Sequence, residues 1–223
     1  MSLESSLGRR AANKEDRRRS ILEVAERSFF ERGYAATSMS TIAAELGGSK
    51  TTLWNYYPGK EALFLAVLDG RIAHFAAALD EALVPTGGTA AALARFGRIY
   101  LAKILSADSV ALQRLLASEA HRFPTMAAAY HERGPARVRQ RLARFMAEEM
   151  AQGRLRTGNA TLAARQFLGL CLAGGFIDRL WHCPAPAVVD IGRDVADAVE
   201  TFLRAWGGEA GSSAPKRSCS TLG

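Results

Sequence analysis

The chain of 223 residues predicts an all-α protein. Apolar residues recur at i, i+3, i+4 and i+7 along most of its length, and no stretch shows the period-2 alternation of a half-buried strand. Proline and glycine fall between the periodic segments rather than within them.

The first helix is expected from Asp16 to Arg32, where Ile21, Leu22, Ala25 and Phe29 form an apolar stripe and Gly33 supplies the stop. Two short helices follow near 39–46 and 50–57, with Gly47-Gly48 between them. Pro58-Gly59 breaks the chain again, and a longer helix runs from Lys60 to about Leu83. Amphipathic helices are then expected near 89–106 and 109–122, a short one opened by Pro124, and another from Gly134-Pro135 to Gln152. Two strongly apolar helices close the fold, 160–182 and 187–206. Residues 1–15, a basic segment, and 207–223, rich in Gly and Ser, carry no periodic pattern and are expected to be disordered.

The composition is that of an ordinary globular protein with room for a core. No apolar stretch is expected to reach the roughly 18–20 residues of a membrane span, and the arginines near the N-terminus precede no long apolar run. A cytoplasmic location follows. Cys171, Cys183 and Cys219 are scattered, which suits a reducing compartment. The formal charge of +7 favours polyanionic partners, but residues 1–60 hold ten Lys or Arg against seven Asp or Glu, so the excess is not confined to one half. Local placement matters more, notably Arg17, Arg18, Arg19, Lys50 and Lys60.

Residues 37–57 carry the clearest functional signal. Met39, Ile42, Ala43 and Leu46 make one buried face, and Thr37 or Ser38 can cap it. Gly47 suits the left-handed conformation that reverses the chain, and Ser49 can cap the next helix. There Leu53 and Tyr57 point inward, while Thr51, Trp54 and Asn55 share the outward face with Lys50 and Tyr56 at its margins. Two short helices on a tight glycine turn form a helix-turn-helix whose second helix enters the major groove. Lys50 suits a guanine edge or a phosphate, Asn55 an adenine, and Thr51 and Trp54 a thymine methyl. Ser38 and Ser40 can donate to phosphates, as can Lys60 at the next helix start. The residues alone also admit an architectural DNA-binding protein without operator choice, or a helical interaction module using Trp54 and Tyr56.

Residues 17–66 resemble the TetR/AcrR family of one-component regulators. The likeness runs from Arg19-Ser20-Ile21-Leu22 through Phe29-Phe30-Glu31-Arg32-Gly33-Tyr34 and Ile42-Ala43 to Ser49-Lys50-Thr51-Thr52-Leu53-Trp54-Asn55-Tyr56-Tyr57 and Lys60-Glu61-Ala62-Leu63. It implies DNA contacts at Ser38, Ser40, Lys50, Thr51, Thr52, Trp54, Asn55, Tyr56 and Lys60. Thr41 stands where the family usually has an acidic residue, Gly48 where it has valine, and Trp54 where it often has tyrosine.

The resemblance also implies domain limits: DNA binding over 16–60, and effector binding and dimerisation over 61–206. It implies a homodimeric regulator, a repressor, that holds a near-palindromic operator in double-stranded DNA and is released by a small molecule. Phe75, Phe96, Tyr100, Phe123, Met126, Tyr130, Phe145 and Met146 are the candidate lining for an apolar or aromatic effector, although aromatic residues at helical spacing are more often plain core. Phe167, Cys171, Phe176, Leu180, Val195, Val199 and Phe202 are the candidates for a four-helix dimer interface, the alternative being the monomer's own core. Arg133, Arg137, Arg139, Arg141 and Arg144 could attract an anionic ligand but read more readily as a solvated helix face. No metal or cofactor is expected: His74, His121, His131 and His182 make no ligand motif, and nothing resembles a phosphate-cradling loop or a nucleophile elbow.

Overall fold

The structure is a computed structural model that describes residues 2–47, 50–84, 86–181 and 190–208, with their side chains except at 2–11 and 73–74. In chain order the helices are α1 (Ser2–Arg32), α2 (Met39–Glu45), α3 (Lys50–Tyr56), α4 (Lys60–Ala82), α5 (Gly88–Ile104), α6 (Ala107–Glu119), α7 (Pro124–Arg133), α8 (Pro135–Ala151), α9 (Ala160–Leu172), α10 (Phe176–Leu180) and α11 (Ile191–Trp206). The described residues contain no strand, only an isolated antiparallel bridge between Leu155 and Gly207. The chain is all-α, as its periodicity predicts.

Two elements differ from expectation. Helix α1 begins at Ser2 rather than Asp16, so the N-terminal basic segment is helical rather than disordered. Its alanines, arginines and lysine favour helix without any apolar stripe to announce it. The helix expected over 160–182 is two, because the Gly174-Gly175 pair separates α9 from α10. A Cβ on Gly174 would lie 2.8 Å from a carboxylate oxygen of Asp194. The disorder expected over 209–223 and the helix start expected at 187 fall outside the described residues.

The helices group into two compact units that are discontinuous in sequence. One takes residues 1–77 and 106–136, the other 78–105 and 137–223. Helices α6 and α7 therefore belong with the helix-turn-helix, although a linear division at residue 60 would put them elsewhere.

The first unit is built on an aromatic core. Phe29 and Phe64 meet edge to face at 5.1 Å between centroids, Tyr34 meets Phe64 at 5.1 Å, and Phe123 meets Tyr34 at 4.8 Å. Such pairs add about 0.5–1.5 kcal/mol each beyond the area they bury. Arg71 stiffens the unit from α4, pairing with Glu26 at 2.8 Å and Asp108 at 3.2 Å while lying over the Phe30 ring. Helix α4 is also more apolar than the sequence reading allowed, being long and apolar enough by composition to cross a membrane. Leu63, Phe64, Val67, Leu68 and Leu79 are nonetheless buried inside the protein.

In the second unit α11 packs on α5 and α9. Val195, Ala198, Val199, Phe202 and Trp206 form its buried stripe. Phe202 stands edge to face with Phe167 at 5.4 Å, and Trp206 donates from Nε1 to Gln166 at 2.7 Å. Arg95 closes the end of α4 and holds the turn after it, donating to the carbonyls of Ala82, Val84 and Thr86. Buried Glu149 accepts from Thr89 and from the Arg154 guanidinium. It thereby fastens the start of α5 to the turn after α8, where Gly153 takes φ +72°.

Candidate nucleic-acid interface

The geometry of the helix-turn-helix begins where α1 stops. Gly33 turns the chain at φ +85°, and buried Thr37 places its hydroxyl 2.9 Å from the Ser28 carbonyl and 2.8 Å from that of Gly33. The single hydroxyl proton is shared between the last turn of α1 and the residue after it, so Thr37 serves the end of α1 and Ser38 is left to cap α2. Ser38 is extended, φ −123° and ψ 155°, and its side chain accepts from the Thr41 amide. The Thr41 hydroxyl lies 2.8 Å from Ser38 Oγ, a substitute for the acidic half of a capping box.

Met39, Ile42 and Ala43 bury the inner face of α2, with Leu46 packed partly against the same core. Glu45 ties the far end of α2 back to α1, accepting from Ser28 Oγ at 3.0 Å and pairing with Arg32 at 2.5 Å. Gly47 then takes φ +62° with open space where a side chain would be. A residue with a Cβ is disfavoured there by backbone strain alone. Gly48 and Ser49, the second turn glycine and the expected cap of α3, lie outside the described residues.

Helix α3 is pinned from beneath. Leu53 and Tyr57 are buried, and the Tyr57 hydroxyl accepts from Arg18 Nε at 3.2 Å. With those positions inward, 3.6 residues per turn carry Thr51, Trp54 and Asn55 to the opposite side. All three are exposed, as is Lys50, and Trp54 retains 46% of its surface. Thr52 and Tyr56 are half-buried at the flanks, and Tyr56 packs partly on the core. Ser38 and Ser40 are exposed on α2 and its cap.

Lys60 is placed differently from expectation. Its ammonium donates to the Tyr34 carbonyl at 2.8 Å and lies 4.3 Å from the centre of the Tyr34 ring, with the Phe123 ring at 5.7 Å. Burial lowers its pKa from the usual lysine value. Glu119 completes the arrangement, accepting from the Ala35 amide at 3.3 Å. The loop between α1 and α2 is thus held from α4 and α6 together.

The eight candidate effector residues fall in both units. Met126, Phe123 and Tyr130 pack with the aromatic core of the first unit. Phe96, Tyr100, Phe145 and Met146 are buried in the second, where Phe96 stacks with Tyr100 at 6.1 Å. Phe75 lies half-buried on α4 in the first unit. Aromatic spacing could not separate the two sets, because both satisfy a buried helix face equally.

Five of the seven candidate dimer residues need correction. Phe167, Cys171, Val195, Val199 and Phe202 are buried inside the single chain, because α11 turns its stripe toward α5 and α9. Phe176 and Leu180 remain half-exposed on α10. Sequence reasoning missed the large apolar residues that are open to solvent: Leu162 at 43%, Ile177 at 55% and Trp181 at 73%. Their signal was present, since all three lie within the segment recognised as apolar on nearly every side.

A capped, glycine-hinged helix pair with a polar and aromatic outer face defines a helix-turn-helix DNA-binding protein. Residues 21–67 match the family model for bacterial regulatory proteins of the tetR family, and residues 91–208 match the model for the AefR-like transcriptional repressor C-terminal domain. The chain belongs to the TetR family of transcription regulators. It is similar to the flavonoid-responsive regulator FrrA, with 31% identity, a TM-score of 0.74, and 86% of this chain and 98% of that one covered. A TetR-family regulator from Mesorhizobium loti superposes with a TM-score of 0.76 at 25% identity, covering 86% of this chain and 98% of its own. By sequence, 82 residues are 34% identical to the transcriptional activator FasR of Mycolicibacterium smegmatis, or 35% of this chain and 37% of that protein. Among the curated relatives the chain matches, it spans only 29–37% of their length.

Proposed function

We propose that the chain is a homodimeric, cytoplasmic repressor that holds a near-palindromic operator through α3 and releases it when a small apolar or aromatic molecule binds the helical body. The carrying observation is the division of α3: Leu53 and Tyr57 fix it to the core, leaving Lys50, Thr51, Trp54 and Asn55 outward. Lys50 and Asn55 read base edges, Thr51 and Trp54 lie against thymine methyls, and Ser38, Ser40, Thr52 and Tyr56 meet phosphates. A repressor role is supported by the AefR-like repressor model over 91–208, and a planar aromatic effector by the similarity to a regulator described as flavonoid-responsive. Dimerisation is assigned to the exposed apolar residues Leu162, Ile177 and Trp181, with Phe176 and Leu180 beside them. Two recognition helices then sit about 34–36 Å apart, one turn of DNA. The effector acts only by binding the DNA-competent and incompetent forms with different affinity.

The test compares the unaltered chain with Asn55→Ala on a duplex it retains from genomic fragments and on a scrambled duplex. A base-reading Asn55 loses about 1–3 kcal/mol, roughly 5- to 150-fold, on the retained duplex and little on the scrambled one. Equal losses on both would reduce Asn55 to a backbone contact. No retained fragment at low ionic strength would end the reading.

A further inference from the structure

Helix α1 changes character along one face. Ile21, Ala25 and Phe29 are buried on the core side, and at 100° per residue the same face continues N-terminally through Arg18 and Lys14, with Arg17 at its edge. Lys14 and Arg18 are exposed and Arg17 is half-exposed. Where the helix has a core to cover, that face is apolar; beyond the core it turns basic. Asp16 lies on the opposite side, paired with Arg19 at 2.6 Å, and Glu15 flanks the strip beside Arg18, on which it acts electrostatically, on the side away from Arg17. The sorting leaves one cationic strip rather than a mixed, self-neutralising surface.

Its position is set by one hydrogen bond. Arg18 Nε reaches the Tyr57 hydroxyl at 3.2 Å, and Tyr57 immediately follows α3. The basic strip therefore starts beside the C-terminal end of the helix whose outer face carries Lys50, Thr51, Trp54 and Asn55, and α1 continues from there for 16 residues, Ser2 to Arg17.

We infer that this strip is a second DNA-binding surface, continuous with α3, in which Lys14 and Arg17 neutralise backbone phosphates flanking the base pairs that α3 reads. The inference rests on α3 being the reading helix. Its ligand is the phosphate backbone of duplex DNA, which a lysine and an arginine on an exposed helix engage without sequence preference. Arg18 positions α3 through Tyr57 and is kept out of the test for that reason.

The experiment uses the full chain, a duplex it retains from genomic fragments, a scrambled duplex of equal length, and the retained duplex shortened by about 5 bp at each end, half a helical turn. Lys14→Ala/Arg17→Ala is expected to lower the slope of log K against log salt by about 3.6 for the dimer, or 0.9 for each of four phosphates. The loss of affinity on raising salt from 50 to 200 mM should then be about 150-fold smaller than for the unaltered chain. The loss at low salt should be the same on retained and scrambled duplexes and should vanish on the shortened one. Lys14→Arg/Arg17→Lys should restore the slope. A salt slope unchanged by the double alanine substitution, or a defect that persists on the shortened duplex, overturns the inference while the reading of α3 stands. Failure of the unaltered chain to bind any duplex removes both.

Discussion

Gly97 of α5 is the sharpest test of the claim that α11 packs within its own chain. A Cβ built there falls 2.9 Å from Cγ1 and 3.3 Å from Cγ2 of Val195, with Cys171 Sγ at 3.6 Å. Val195 is fully buried and β-branched, so it has little freedom to move aside. Gly97→Ala gains about 1 kcal/mol in helix propensity and incurs an overpacking cost of about 1–3 kcal/mol. The net change is a destabilisation of about 0–2 kcal/mol. In a Val195→Ala background the clash is gone and only the propensity gain of about 1 kcal/mol remains. The double-mutant cycle should therefore yield a coupling energy of about 1–3 kcal/mol. Urea unfolding of the four proteins measures it, at two protein concentrations tenfold apart, so that linkage to self-association is seen separately. If Gly97→Ala stabilises both backgrounds equally, α5 and α11 do not meet there, and the α11 stripe returns as a candidate surface between subunits.

Other outcomes follow from individual contacts. Hydrogen bonds from Arg154 and, less strongly, Thr89 hold the Glu149 carboxyl below its ordinary pKa of 4.5, against the opposing effect of burial. A depressed carboxylate contributes stability that is present above its unfolded pKa and is lost as pH falls through the folded one. Melting curves should show the gap between the unaltered chain and Glu149→Gln widest above pH 4.5 and shrinking below it; a gap independent of pH refutes the assignment. Lys60→Ala should cost about 1–2 kcal/mol of stability by removing the bond to the Tyr34 carbonyl and the contact with its ring, while leaving the salt slope of DNA binding unchanged. A slope lowered by about 1.8 for the dimer with stability intact would instead make Lys60 a phosphate contact. Trp181→Asp should move the protein from dimer to monomer in light scattering after size exclusion, and a dimer that survives it excludes this residue from the interface.

What was legible in the sequence was local. The two helices of 39–57, the glycine reversal at Gly47 and the inward and outward sides of α3 all follow from residues within a few positions of one another. Capping, left-handed backbone and a period of 3.6 act over that range. The family pattern of residues 17–66 lies in the same short stretch. What lay beyond it was which surface each apolar face covers. The stripe of α11 shows that it must be buried, but burial against α5 and α9 or against a second chain satisfies the same periodicity. The aromatics of α5 and α8 and those of the 123–130 segment likewise read as one set, and only the assembled chain divided them between two cores. Lys60 reads from sequence as a phosphate ligand by its place at a helix start, and its bond to the carbonyl of Tyr34, 26 residues away, was not legible there. The extra turns of α1 needed no core, so no stripe announced them. Local sequence determines which element forms and which side is apolar; partners distant in sequence decide what that side meets, because the hydrophobic effect rewards removal from water without specifying the neighbour.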